Sequence, residues 1–157
     1  MQKITTCLWF DTQAEEAANL YCSLFAGSKV TEVTRAPEGT PGGAGGVMWL
    51  SFELAGQTYH ALNGAGPRKF TENYSMYVDC EDQAEVDRLW SALIADGGAE
   101  SQCGWLRDKF GVSWQIIPRT LTTYMRDKDQ AKAGRVMQAM LKMRKIDVAA
   151  LERAYRG

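Results

Sequence analysis

The sequence predicts an α+β fold made of two similar units followed by a helical C-terminal extension, and three observations carry that expectation. A strand-like segment, an amphipathic helix and further strands succeed one another twice, over residues 1–65 and again over 66–120. The two helices open on the same tripeptide, Gln13-Ala14-Glu15 and Gln83-Ala84-Glu85. From Leu121 to the end at 157 the apolar spacing becomes helical throughout. A chain of 157 residues suits a single domain that can bury a sizeable core.

The first unit begins with a strand over residues 4–10, and Asp11-Thr12 reads as the cap of a helix over 14–25. Ala17, Leu20, Tyr21, Leu24 and Phe25 keep helical spacing, Glu15 and Glu16 suit the positive end of the helix dipole, and Gly27 ends the helix. Strands over 29–35, 47–54 and 57–62 follow, with Ala55-Gly56 as a tight hairpin between the last two. The glycine-rich segment 37–46 lacks a Gly-x-Gly-x-x-Gly at a strand-to-helix junction, which argues for a lid or plain loop rather than a nucleotide site.

The second unit repeats the order: a strand over 75–78, Asp79, a helix over 84–95 carrying Val86, Leu89, Trp90, Leu93 and Ile94, then Gly97-Gly98. Strands over 100–106 and 112–117 come next. In the extension, Ala133, Val136, Met137, Met140, Leu141 and Met143 form one amphipathic helix and 148–155 a second. Asp147 is its expected N-cap, with Ile146 and Leu151 at hydrophobic-staple spacing. A methionine stripe of this kind is core or a subunit contact.

Composition narrows the function classes. With 45% hydrophobic and 24% charged residues and no run long enough to cross a bilayer, a soluble, non-membrane protein is expected. No export signal is visible at the start, so the expected location is cytoplasmic. Cys7, Cys22, Cys80 and Cys103 are scattered and the chain has one histidine, His60, which argues against a structural zinc site. They read as buried thiols, with Cys103 beside Gly104 the one to test for reactivity. Residues 1–118 hold 8 basic against 15 acidic side chains (net -7), and 119–157 hold 10 against 4 (net +6). A cationic tail of this sort reads as a helical clamp on an acidic body in preference to a nucleic-acid arm.

The segment 103–118, CGWLRDKFGVSWQIIP, carries the candidate site. A charged turn, Asp108-Lys109-Phe110-Gly111, precedes an apolar strand in which Val112, Trp114 and Ile116 share one face and Ser113, Gln115 and Ile117 the other. The first face packs under helices; the second suits the wall of a partly hydrated cavity. Trp49, Tyr59, Tyr77 and Trp105 are either cavity aromatics or core.

Trp9-Phe10-Asp11, Gln13-Ala14-Glu15-Glu16-Ala17, Ala61-Leu62-Asn63-Gly64 and the 103–118 segment resemble the PhnB-like branch of the glyoxalase/bleomycin-resistance (vicinal oxygen chelate) superfamily, over about residues 2–155. The branch also carries a demethylubiquinone methyltransferase-like label, although no glycine-rich S-adenosylmethionine loop is visible here. The resemblance implies two paired βαβββ modules forming a cupped mixed sheet, often completed across a homodimer. It further implies, for the metal enzymes, four ligands around a divalent ion, one from the first and one from the last strand of each module. Carried over, Gln115 takes a ligand position, and His60 takes the equivalent one because Gly56 to His60 has the spacing of Gly111 to Gln115. The opening strands offer Ile4 or a neighbour, and Asn73.

That set departs from the metal pattern, since Gln115 and Asn73 are neutral and Ile4 is no ligand. Glu53 either supplies a carboxylate or sits at an exposed strand end. His60 is then a hydrogen-bonded strand histidine, a metal ligand, or an acid/base group. The implied site has His60 and Gln115 as catalytic or metal residues, and Asn73, Ser75, Tyr77, Trp105 and Ser113 around a small-molecule ligand. Three functions compete: an isomerase, lyase, dioxygenase or transferase of this superfamily; a metal-free protein that binds or sequesters a small molecule; and a basic interaction module acting through residues 119–157.

Overall fold

The computed structural model describes residues 3–38, 44–64, 66 and 68–157, so part of the glycine-rich loop expected at 37–46 lies outside them. The chain divides into two compact units, Met1–Lys69 and Phe70–Gly157. Each holds a four-stranded mixed sheet.

In the first unit the order is β1 (Thr6–Phe10), α1 (Ala14–Leu24), β2 (Lys29–Arg35), β3 (Val47–Leu54) and β4 (Gln57–Asn63). The strands lie β1-β4-β3-β2, with β1 parallel to β4 and the other neighbours antiparallel. Alternation puts Leu8, Phe10, Leu50, Phe52, Leu54 and Ala61 on the buried face, against Ala14, Ala17, Ala18 and Tyr21 of α1. Ala55 and Gly56 both have positive φ, 48° and 83°, the geometry of a two-residue hairpin turn that matches strand twist. The expected cap at Asp11-Thr12 is not used. Asn63 does the work from the end of β4: its Oδ1 accepts from the Ala14 N–H at 2.9 Å and its amide donates to the Val47 carbonyl at 2.9 Å.

The second unit repeats this topology as β5 (Ser75–Cys80), α2 (Gln83–Ile94), β6 (Ala99–Glu100), β7 (Trp105–Arg107) and β8 (Ser113–Pro118), ordered β5-β8-β7-β6 with β5 parallel to β8. Two boundaries differ from expectation. The strand expected over 100–106 is a pair, because Cys103 (φ 57°) and Gly104 (φ 84°) reverse the chain and the Ser101 N–H then bonds the Trp105 carbonyl at 2.9 Å. Asp79 continues β5, and the helix is capped by Asp82, whose carboxylate accepts from the Glu85 N–H at 2.9 Å while Glu85 reaches back to the Glu81 N–H at 2.7 Å.

The extension holds three helices where two were expected: α3 (Arg119–Met125), α4 (Gln130–Met140) and α5 (Val148–Arg156). Ile117, Leu121, Val136, Ile146 and Leu151 form its core, with Met125, Met140 and Met143 packed around it. The methionine stripe therefore splits, since Met137 and Leu141 are exposed. Asp147 caps α5, accepting from the Ala150 N–H at 2.9 Å. Backbone bonds strap the extension to the β6–β7 turn, from the Cys103 N–H to the Met143 carbonyl (2.8 Å) and from the Gly104 N–H to the Arg144 carbonyl (2.7 Å). Gln83 clasps it a second time, donating to the Ile146 carbonyl at 3.1 Å and accepting from the Val148 N–H at 2.8 Å. The cations of the tail meet acids of the body in the pairs Arg119–Asp79, Arg144–Glu100 and Lys145–Asp87, the clamp that the charge split predicts. Among the described residues no helix is long and apolar enough to cross a membrane.

Candidate functional site

The face of the second sheet turned away from α2 carries most of the expected residues. In register, Gln115 of β8 stands between Tyr77 of β5 and Trp105 of β7, and Ser113 stands between Ser75 and Arg107. The Gln115 amide is half-buried and donates through Nε2 to Ser75 Oγ at 2.9 Å, a diagonal contact across the parallel pair that fixes which way the amide points. Its Oε1 is left as an acceptor. Tyr77 is 52% exposed and Ser113 is buried. The opposite face is oily as expected, with Val112, Trp114 and Ile116 fully buried. Ile117, at the far end of the Gln115 face, is covered by the extension, whereas Ser75, Gln115 and Trp105 are half-buried and Tyr77 is exposed.

The turn before β8 has a task of its own. Asp108 is buried, and its carboxylate accepts from the Phe110 N–H (2.9 Å), the Val112 N–H (3.0 Å) and the Trp114 indole N–H (2.9 Å). This carboxylate sets the entry of β8 and so the facing of Gln115.

In the first sheet His60 stands in register between Ser51 of β3 and Cys7 of β1. Its Nδ1 lies 3.0 Å from Ser51 Oγ, and its ring lies against Trp49 with centroids 4.8 Å apart at 38°. The hydrogen bond to Nδ1 leaves Nε2 to give or take a proton, according to tautomer. Tyr59 turns to the other face and stacks on buried Phe52, so of the aromatics expected here Trp49 lines the His60 face and Tyr59 belongs to the core.

Three expectations meet a different geometry. Ile4 precedes β1 and is 88% exposed. Asn73 lies in an exposed turn ahead of β5, off the sheet. Glu53 takes the second place open to it, near the end of β3 and 3.9 Å from Lys29. Cys7, expected to be a buried thiol, is exposed because strand alternation buries Leu8 and Phe10 instead. Cys80 is the fully buried thiol, and burial together with nearby Glu85 and Asp79 pushes it up to about 12. Partial burial also pushes the Cys7 thiol up. Cys103, half-buried beneath the extension's backbone straps, is no open thiol either.

Residues 2–117 match the family model described as 3-demethylubiquinone-9 3-methyltransferase. The chain belongs to that family. It is 39% identical to a Bacillus cereus PhnB protein bearing the same methyltransferase description, over 74% of this chain and 99% of that one, with a TM-score of 0.70. A Pseudomonas aeruginosa protein is 20% identical over 75% of this chain and 98% of its own, with a TM-score of 0.63. A fosfomycin resistance protein from Listeria monocytogenes, solved with Mn(II) and a sulfate ion, shares the fold alone: 14% identity over 73% and 90% of the two chains, TM-score 0.52. The family match and the PhnB relative agree with the PhnB-like resemblance, and the resistance protein adds likeness of fold. No curated protein matches it.

The divalent ion that the resemblance implies does not fit the donors present around His60 and Gln115. The strand partners of His60 and Gln115 are Cys7, whose thiol is pushed away from the thiolate form, and Tyr77, a phenol. Among the described residues no three His, Cys, Asp or Glu side chains are grouped so as to hold an ion. Ser51 was not expected at the site, and Cys7 was expected only as a buried thiol. Ser51 was within reach of the sequence: counting outward from the Ala55-Gly56 turn pairs residues 54/57, 53/58, 52/59 and then Ser51 with His60.

Proposed function

We propose that this family member binds a small, partly aromatic molecule and does so without a resident divalent ion. The observation that carries the reading is the row Tyr77–Gln115–Trp105, in which an amide oriented by Ser75 stands between two aromatic side chains. Such a row offers two rings for stacking and one acceptor for orientation, the usual division of labour in a ligand site. His60, oriented by Ser51 beside Trp49, supports a second polar anchor of the same kind in the first unit, with acid/base capacity at Nε2.

The test is a thermal-shift titration of chelator-treated protein with nickel, manganese, zinc, iron(II) and magnesium, beside His60→Ala. The expected result is no ion-specific stabilisation, followed by chelator-indifferent binding of small aromatics from a library. A saturable shift with one ion that disappears in His60→Ala would overturn the metal-free reading and favour a lyase, isomerase, dioxygenase or transferase of the superfamily. Adding S-adenosylmethionine to the same screen tests the methyl transfer that the family's description names. The reading also includes a homodimer and a cytoplasmic location, checked by sedimentation and by fractionation.

A further inference from the structure

Beside Tyr77 the second unit has a cavity of about 270 Å³, lined by Tyr77, Asp79, Arg119, Thr122, Thr123 and Arg126. Its chemistry is cationic and rich in donors: two guanidinium groups, two threonine hydroxyls and a phenol against one carboxylate. That carboxylate is already engaged, since Arg119 Nε donates to Asp79 Oδ2 at 2.9 Å. Arg126 has no acidic partner among the described residues. The Thr122 hydroxyl is shut off from solvent, so Thr123 is the open hydroxyl of the pair.

We propose that this cavity binds the anionic group, a phosphate, sulfate or carboxylate, of a small molecule whose aromatic part lies along the Tyr77–Gln115–Trp105 row. Arg126 supplies the charge and a planar fork of donors that matches such oxygens, and the exposed Thr123 hydroxyl adds a donor beside it. Tyr77 belongs to both the cavity and the row, so the proposal rests on the ligand-binding reading above. Arg119, Thr122, Thr123 and Arg126 all follow residue 117, where the family match stops. The subsite is thus contributed by the extension and goes beyond anything the family's description implies.

Isothermal titration with inorganic phosphate, against chloride at matched ionic strength, tests it on the full chain. The wild type should bind saturably, and Arg126→Gln should weaken binding about tenfold through the lost charge-assisted bonds. Asp79→Asn should do the opposite and tighten binding severalfold, because it frees Arg119 and removes the one carboxylate of the lining. Melting temperatures without phosphate check that each variant folds. Absent saturable binding, or equal binding by Arg126→Gln and wild type, would overturn the subsite. Phosphate binding without any aromatic hit in the library would keep the subsite and sink the ligand reading. Hits indifferent to Arg126→Gln, with no phosphate binding, would do the reverse.

Discussion

The two units place a polar residue four positions after a turn glycine, His60 after Gly56 and Gln115 after Gly111, and each is oriented by a serine. The serines come from different sides. Ser51 lies on the antiparallel neighbour β3, directly opposite His60, whereas Ser75 lies on the parallel neighbour β5, one diagonal step from Gln115. The turns differ as well: Ala55-Gly56 is a bare two-residue reversal, while the turn at Asp108 is knitted by a buried carboxylate. A repeat therefore preserves backbone topology while the side chains that aim the functional groups are reinvented in each copy, which separates the inheritance of fold from that of site.

Breaking the carboxylate should hurt most. Asp108→Ala removes the acceptor of the Val112 N–H and of the Trp114 indole N–H in the core, and should cost about 3 kcal/mol or more in urea unfolding. No single side chain at the other turn should match that. Next comes the strap: a Cβ on Gly104 would stand 2.6 Å from Ile117 Cδ1 and 3.1 Å from Ile146 Cγ1, at a φ that side chains rarely adopt. Gly104→Ala should cost about 2 kcal/mol and raise hydrogen exchange across the extension while sparing the first unit. A smaller and opposite effect is expected at the simple turn, where Ala55→Asn better tolerates positive φ and should stabilise by about 0.5 kcal/mol.

The smallest effect is a pH dependence confined to the second unit. Lys145 and Gln83 hold the Asp87 carboxyl below its ordinary range, and the Tyr155 hydroxyl does the same for Asp127. A lowered folded pKa gives stability that is present above the unfolded value, about 3.9, and lost as pH falls through the folded one. The extension should loosen first below about pH 4, seen as protease cuts after residue 118, and salt should shrink the effect because these groups are exposed.

Much of this was legible because periodicity reports directly on which face is buried. The strands at Lys29–Arg35 and Val47–Leu54, the alternation around Trp114 and the Asp147 cap follow from side-chain spacing and local capping chemistry. The misread elements depend on distant partners. The cap of α1 comes from Asn63, forty-nine residues away, and the break in the 100–106 strand depends on a turn held under the extension. At the site, Ser75, Tyr77, Trp105, Ser113 and Gln115 share a face because alternation alone requires it. Asn73 falls off that face because β5 starts only at Ser75, and strand ends are the least determined feature of a pattern. Thr123 and Arg126 gave no signal, since a surface hydroxyl and a surface cation acquire meaning only from the cavity beside them.

The Gln83 clasp has a consequence for synthesis on the ribosome. Its two bonds join residues 63 and 65 positions apart, so the start of α2 waits for its partners until Val148 has been made. The first sheet needs nothing beyond Asn63 to complete its strand order. A nascent chain can thus finish one unit early and carry the other half-closed for most of its translation. Rare codons or pauses between residues 118 and 148 would lengthen the interval in which Ile117 and Leu121 remain uncovered, and that interval is the natural one for chaperone capture.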